Sequence, residues 1–245
     1  MLANKKIVIF DMDGTLIDSV GIWNEVDRKL SERLGGRPLS EEQLQTRRER
    51  MLRKFSGREN PYLEYCGFLK SEYGSPLSAE QIYRMRYEIS SDFLKNTVDY
   101  KENAEQVIRL LKNAGFTLVI ASATRKQSMD VYRLQNQNIM RKAMLDQYFT
   151  RIYTKEDVRK MKPDPEIYLR VLQDFCAAPE ACIAFEDSLI GLEAAKNAGI
   201  DAAAMYDRHS DPERGQIERI SDYRFENYSE LYYAILKEGI RASAL

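Results

Sequence analysis

Histidine is nearly absent from this chain: His209 stands alone among 245 residues. The three cysteines, Cys66, Cys176 and Cys182, form no CxxC pair, so the usual ligands of a structural zinc site are missing. Scattered thiols of this kind act as small apolar side chains, and a reducing, cytoplasmic setting is expected. Long hydrophobic runs are missing as well. No apolar stretch approaches the roughly 18 residues that a membrane-crossing helix needs. The N-terminus passes directly into a strand-like run, Ile7–Phe10, without the basic and long apolar segments of a signal peptide. Charge of one sign is not in excess: 37 Lys and Arg face 38 Asp and Glu. That balance supplies no global field to gather nucleic acid or an anionic membrane, and neither is expected as a partner. Low-complexity segments and solenoid-scale repeats are absent too. What is present, 44% hydrophobic and 31% charged residues, is the composition of a soluble globular chain, long enough for one large domain or a domain with a smaller insert.

Ile7–Phe10 is short, wholly apolar and rich in β-branched residues, the pattern of a buried central strand. From about Asp18 to Thr97 the pattern turns to charged helical segments without a strand. Leu44, Met51, Leu52 and Phe55 share one helix face there, while Arg47, Arg48, Glu49, Arg50, Arg53 and Lys54 crowd the rest. Pro38, Pro61 and Pro76 punctuate the region and Ser40 and Ser78 suit N-caps, so three or four helices are expected. After Thr97, helix and strand patterns alternate. The stripe Ala104, Val107, Ile108, Leu111 ends in Lys-Asn-Ala-Gly at 112–115 and is followed by a strand at Thr117–Ala121. The same four letters at 196–199 close another helix before a strand at Ile200–Ala204; in both, glycine suits the left-handed position that ends a helix. Arg151–Tyr153 and Cys182–Phe185 read as further strands, and Ile167, Tyr168, Val171, Leu172 and Phe175 as the apolar stripe of a helix between them. Short strands alternating with amphipathic helices mean a parallel sheet covered on both faces.

Four polar constellations fall at strand carboxyl ends, where ligands bind in such sheets. Asp11-Met12-Asp13-Gly14-Thr15 follows the first strand, so one carboxylate can attack while the other exchanges a proton. An acidic turn is the plainer reading. A calcium loop of the EF-hand type would need a further ligand before the glycine. Ser122-Ala123-Thr124 follows the second strand and precedes a helix near Arg125, either as an N-cap or as a phosphate cradle of hydroxyl and helix-terminal amides. In Lys162-Pro-Asp-Pro-Glu-Ile-Tyr the prolines stiffen the approach to a helix and hold Lys162 in place, where its ammonium could neutralise a nucleophile and a phosphoryl oxygen; Lys160 is its rival. Glu186-Asp187 are adjacent carboxylates that suit Mg²⁺ ligation, or helix capping by the aspartate. Together the four supply nucleophile, acid/base, phosphate donors, cation and metal ligands, the parts that phosphoryl transfer requires.

Taken in order, these segments resemble the motifs of the haloacid dehalogenase-like superfamily. Ile-Val-Ile-Phe-Asp-Met-Asp-Gly-Thr-Leu matches its first motif, Ser122 its second, Lys162-Pro-Asp-Pro-Glu-Ile-Tyr its third, and Glu186-Asp187-Ser188 with Gly191, Ala194, Ala195, Ala198 and Gly199 its fourth. The insert is similar to the cap of the branch that contains β-phosphoglucomutase and many small-metabolite phosphatases. The resemblance implies an α/β, Rossmann-like core at 1–17 and 98–245 with an all-helical cap at 18–97. It implies Asp11 as nucleophile, Asp13 as acid and then base, and Ser122, Ala123 and Lys162 as phosphate binders. Mg²⁺ would be held by Asp11, the Asp13 backbone carbonyl, Asp187 and, directly or through water, Glu186.

The function implied is a Mg²⁺-dependent phosphatase acting on a small phosphorylated metabolite, with a phosphomutase as the alternative. Dehalogenation by this fold does not use the second aspartate, and phosphonate cleavage needs a cap lysine that nothing here identifies. A catalytically dead binding module would have lost Asp11, Lys162 or a metal carboxylate; all are present. The cap segment Arg47–Lys54 together with Arg58 carries five arginines. Most are expected to be solvated, with Arg58 gripping the polar body of the substrate.

Overall fold

A run of four apolar residues forms strand β1 (Ile7–Phe10), and every one of them is buried. It lies in the middle of a six-stranded sheet, flanked by β2 (Thr117–Ala121) and β4 (Cys182–Glu186). With β3 (Arg151–Tyr153), β5 (Asp201–Met205) and β6 (Tyr223–Phe225) the order is 3-2-1-4-5-6, and all neighbours are parallel. This is the doubly wound arrangement, whose order reverses beside β1, and a crevice opens at that point beyond the strand carboxyl ends. The computed structural model describes residues 1–55, 58 and 60–241, with the side chains at 49 and 53 also outside the description.

The chain divides into two compact units, residues 1–19 with 98–245 and residues 20–97. In the first unit the strands alternate between two helical layers. Ile7, Ile9, Val119, Ala121, Cys182, Ala184, Ala202 and Ala204 face a core shared with α9 (Glu166–Asp174), α10 (Leu189–Asn197) and α11 (Arg214–Ile220). Phe10 and Phe185, in register on β1 and β4, stack on each other at 5.0 Å, and Phe149 meets the Phe10 edge. Helix α5 (Ala104–Asn113) packs on β2 and on α12 (Tyr228–Lys237). The short helices α6 (Lys126–Leu134), α7 (Gln137–Lys142) and α8 (Leu145–Tyr148) fill the β2–β3 connection. Gly115 and Gly199, at φ of 91° and 77°, close α5 and α10 in the left-handed conformation. Two strand limits differ from the sequence expectation. β5 begins and ends one residue later, and β4 runs one residue further, so that Glu186 is its last residue and pairs with Ala204.

Among its described residues the second unit has helices as its only regular elements: α1 (Val20–Arg33), α2 (Glu41–Lys54), α3 (Pro61–Tyr73) and α4 (Ala79–Asn96). Ser40 and Gln43 cap α2 reciprocally, Ser78 and Gln81 form the capping box of α4, and Asn60 with Pro61 starts α3. Val26, Leu30, Tyr65, Leu69, Ile82 and Phe93 centre its core.

The arginines of α2 correct an expectation. Arg47 and Arg48 are buried rather than solvated. Arg48 donates to Asp27 at 2.8 Å, Arg86 from α4 donates to the other Asp27 oxygen at 3.1 Å, and Arg47 bonds Ser31, Glu72 and Tyr73. Asp27 is completely buried, so its charge draws both guanidinium groups inward. The Arg53 and Glu49 side chains, assigned to the polar face of α2, lie outside the described residues. Among the described residues no helix is long and apolar enough to cross a membrane.

Candidate active site

Three strands deliver the polar residues to one place. Asp11 extends β1, with its N–H donating to Phe185 O at 3.0 Å, and Ser122 extends β2, with its N–H donating to Tyr153 O at 3.0 Å. Glu186 ends β4 and Asp187 follows directly after it. Successive residues of a strand point to opposite faces, so the two adjacent carboxylates diverge. Glu186 turns toward α9 and α10, where it meets Tyr168 and Gly191. Asp187 turns toward the β1 loop, where Thr15 Oγ1 donates to it at 2.8 Å. Gly14, at φ of 85°, makes room: a Cβ there would lie 2.4 Å from Asp187 Oδ2.

Lys162 joins the two acidic residues. Its ammonium donates to Asp11 Oδ1 at 2.6 Å, to Glu186 Oε1 at 2.6 Å and to the Ala121 carbonyl at 2.9 Å. The loop that carries it is tied down by Glu166, whose carboxylate accepts from the Arg159 and Lys160 amides at 2.9 and 2.8 Å. The choice between the two lysines is decided by burial: the Lys162 side chain is 4% exposed, whereas Lys160 is 74% exposed and pairs with Asp164.

One ammonium faces three carboxylates. Oxygens of Asp11, Glu186 and Asp187 lie within 4.8 Å of one another, all on buried residues. Burial pushes the Asp11 carboxyl well above the usual carboxylate range; Lys162 opposes this, and Glu186 and Asp187 reinforce it. Burial, then the Glu186 charge, raises Asp187 as well, against the Thr15 hydroxyl and Lys101. For Lys162 burial acts downward, but Asp11 and Glu186 outweigh it and lift the ammonium above the ordinary lysine value. Among the described residues, buried Glu186 Oε2 has no hydrogen-bond partner. An orphaned carboxylate oxygen beside two more carboxylates, with excess negative charge, is a donor set that fits a hard divalent cation.

Asp13 is placed differently. Its carboxylate is outside that cluster and is held by hydroxyl groups: Ser19 Oγ donates to Oδ1 at 2.5 Å, Tyr132 OH to Oδ1 at 2.9 Å, and Thr124 Oγ1 to Oδ2. The Ser122 hydroxyl is engaged in its own loop, accepting from Thr124 N–H at 3.1 Å and donating to Thr124 Oγ1 at 3.0 Å. The free helix-terminal amides anticipated after β2 are partly spent: α6 begins at Lys126, whose N–H donates to Glu156 at 2.7 Å. Ala123 is exposed beside Ser122, and Arg58, in the second unit, is exposed with its N–H donating to Phe55 O at 2.9 Å.

Five side chains meet the acidic residues here without a role assigned from the sequence: Thr15, Ser19, Thr124, Tyr132 and Tyr168. Thr15 lies within the first motif, but nothing in the spacing directs its hydroxyl to Asp187. Tyr168 was counted in an apolar stripe; its ring serves that stripe while its hydroxyl donates to Glu186 Oε1. Thr124 and Tyr132 reach Asp13 through tertiary folding of the β2–α6 segment.

The carboxylate at the end of β1, the buried lysine bonded to it and the neighbouring acidic pair all fall within the span of the family comparison: the model for haloacid dehalogenase-like hydrolases matches residues 8–205. The chain is a haloacid dehalogenase-like hydrolase. A phosphorylated carbohydrates phosphatase from Thermotoga maritima is 32% identical over 197 residues, covering 80% of this chain and 82% of the relative. Protein CbbY from Rhodobacter capsulatus is 28% identical over 233 residues, 91% of this chain and 94% of that one. The crystal structure of a candidate β-phosphoglucomutase from Thermotoga maritima is similar at TM-score 0.72 and 27% identity, covering 95% of this chain and 99% of its own. The hydrolase is thus similar over 80% of its length to a protein named as a phosphatase and over 95% to a candidate β-phosphoglucomutase.

Proposed function

We propose that this hydrolase is a phosphatase that cleaves a small phosphorylated metabolite through an aspartyl-phosphate on Asp11. The observation that carries the proposal is the Lys162 bridge, 2.6 Å from both Asp11 and Glu186 within a three-carboxylate cluster. Asp11 attacks phosphorus and the bond to the leaving oxygen breaks. Asp13 gives that oxygen its proton, then takes a proton from the water that hydrolyses the acyl phosphate, which returns Asp11 as a carboxylate. Lys162 orients the nucleophile and offsets charge on the transferring group, while Ser122 and the Ala123 backbone bind its oxygens. Asp11, Asp187, Glu186 and the Asp13 backbone carbonyl are the groups that would hold Mg²⁺. When bound, that ion offsets the negative charge of phosphate and nucleophile together. The helical unit carries the residues that choose the substrate, Arg58 among them.

The test is a panel of phosphorylated metabolites assayed for released inorganic phosphate, with and without Mg²⁺. Mg²⁺-dependent release from sugar or polyol phosphates supports the proposal. Release from none of them, or equal release after metal stripping, removes it. The likeness to a candidate β-phosphoglucomutase favours one second reading, phosphoryl return to another hydroxyl. That reading requires isomerised sugar phosphate and activation by a bisphosphate in the same assay.

A further inference from the structure

The Asp13 carboxylate is gripped from three directions, by Ser19 from its own loop, by Thr124 from the loop after β2, and by Tyr132 from the far half of α6. The donors are not equivalent. Serine and threonine hydroxyls sit on short side chains that rotate about one bond, and the Thr124 hydroxyl also receives a hydrogen bond from Ser122. The Tyr132 hydroxyl is carried on a rigid ring that is completely buried, so its position is set by the packing of α6. It sits 2.9 Å from Asp13 Oδ1.

We propose that Tyr132 is a positioning residue for Asp13, holding its carboxyl where it meets first the leaving oxygen and then the attacking water. This rests on the reading of Asp13 as acid and base. In the first half-reaction the phosphorus–oxygen bond of the ester breaks as the Asp11–phosphorus bond forms, and the proton on Asp13 passes to the leaving oxygen. In the second, water forms a bond to phosphorus, its proton goes to Asp13, and the Asp11–phosphorus bond breaks. A misplaced Asp13 therefore slows the first half-reaction only when the leaving oxygen needs a proton, and slows the second for every substrate.

Aryl phosphates separate these cases. Phenolate is a basic leaving group and needs the proton; p-nitrophenolate departs without it. In Tyr132→Phe, kcat/KM for phenyl phosphate should fall about tenfold, part of the ~10²–10⁴ that a general acid contributes, while kcat/KM for p-nitrophenyl phosphate stays near wild type. Rapid mixing of the variant with p-nitrophenyl phosphate should give a burst of one p-nitrophenolate per active site before slow turnover, because hydrolysis of the acyl phosphate has become limiting. The burst also counts intact sites, so misfolded protein cannot mimic the result. Equal losses on both esters without a burst would mean that Tyr132 only supports the fold, and wild-type kinetics that its hydroxyl is idle; either overturns the proposal. Asp13→Asn serves as the control. If it turns over phenyl phosphate like wild type, the reading of Asp13 itself fails, independently of Tyr132.

Discussion

Asp11 and Asp13 are separated by one residue and face different neighbours, a difference that supports the separate roles proposed for them. Asp11 meets an ammonium and two carboxylates in a buried cluster; Asp13 meets three hydroxyls. Exchanging Asp11 for asparagine removes the oxygen proposed to attack together with one of three mutually repelling charges. Asp11→Asn should therefore lose all turnover of p-nitrophenyl phosphate while melting no lower than wild type in metal-free buffer. Residual turnover in the purified variant, or a lowered melting temperature, contradicts this account. Arg58 stands apart from the buried arginines Arg47, Arg48 and Arg86, which are committed to partners within the helical unit. If Arg58 holds the substrate body, Arg58→Ala should raise KM for the preferred metabolite severalfold and leave p-nitrophenyl phosphate unaffected. Equal effects on both substrates, or none, would exclude it from recognition.

Elements place these residues by very small margins. Gly191 lies in the first turn of α10, directly against the Glu186 carboxylate: a Cβ there would be 2.0 Å from Oε2 and 2.3 Å from Cδ. Alanine in place of helical glycine would ordinarily gain about 0.8–1 kcal/mol of helix propensity. Here the collision costs more, about 1–3 kcal/mol for overpacking, because Glu186 cannot retreat without releasing Lys162 and Tyr168. Gly191→Ala should thus lower both melting temperature and kcat; a stabilised, active variant would show that Glu186 has freedom to move. In the helical unit, Asp27→Asn leaves the Arg48 and Arg86 charges buried without a counterion and should cost about 3–5 kcal/mol, measured by urea unfolding. A loss below about 1 kcal/mol, the ordinary worth of an exposed ion pair, would mean that water reaches the triad. The strands and most helix limits were legible in the sequence because short β-branched runs and Lys-Asn-Ala-Gly closures are local signals. The gathering of Asp11, Glu186 and Asp187 was legible because each stands at or just past the end of such a strand, and so was the place of Ser122. Lys162 departs from the expectation of a strand end, since β3 stops at Tyr153 and Lys162 reaches the acids from the loop before α9. The hydroxyls of Tyr132 and Tyr168 were not legible, since hydrophobic period treats tyrosine as a ring. The burial of Arg47 and Arg48 was not either, because their partners lie on other helices: Asp27 on α1 for Arg48, and Ser31 on α1 with Glu72 and Tyr73 on α3 for Arg47.

Across the whole chain acid and base nearly cancel, at a net charge of −1, yet the excess of carboxylate is concentrated where Asp11, Glu186 and Asp187 meet. Folding brings these acids together against their repulsion; burial first, and the neighbouring carboxylates in addition, raise Asp11 and Asp187. A cation that binds the folded cluster and not the unfolded chain must then stabilise the protein by mass action. At a Mg²⁺ concentration 100 times its dissociation constant the gain is about 2.7 kcal/mol. For a chain of this size that is a rise of roughly 5–10 °C in melting temperature, at about 2–4 °C per kcal/mol. All three acids belong to the unit of residues 1–19 and 98–245. If calorimetry resolves two transitions, the one that moves with Mg²⁺ should be the transition of that unit, and the transition of residues 20–97, probed by Asp27→Asn, should stay in place. Ca²⁺, which prefers more ligands at longer distances, should give a smaller shift. Asp187→Asn should abolish the shift while leaving the metal-free melting temperature unchanged or higher, because it removes both a ligand and a source of repulsion. A Mg²⁺ shift that survives in Asp187→Asn would place the ion elsewhere, and no shift in wild type at millimolar Mg²⁺ would mean that the cluster binds its cation only with a phosphate already in the site.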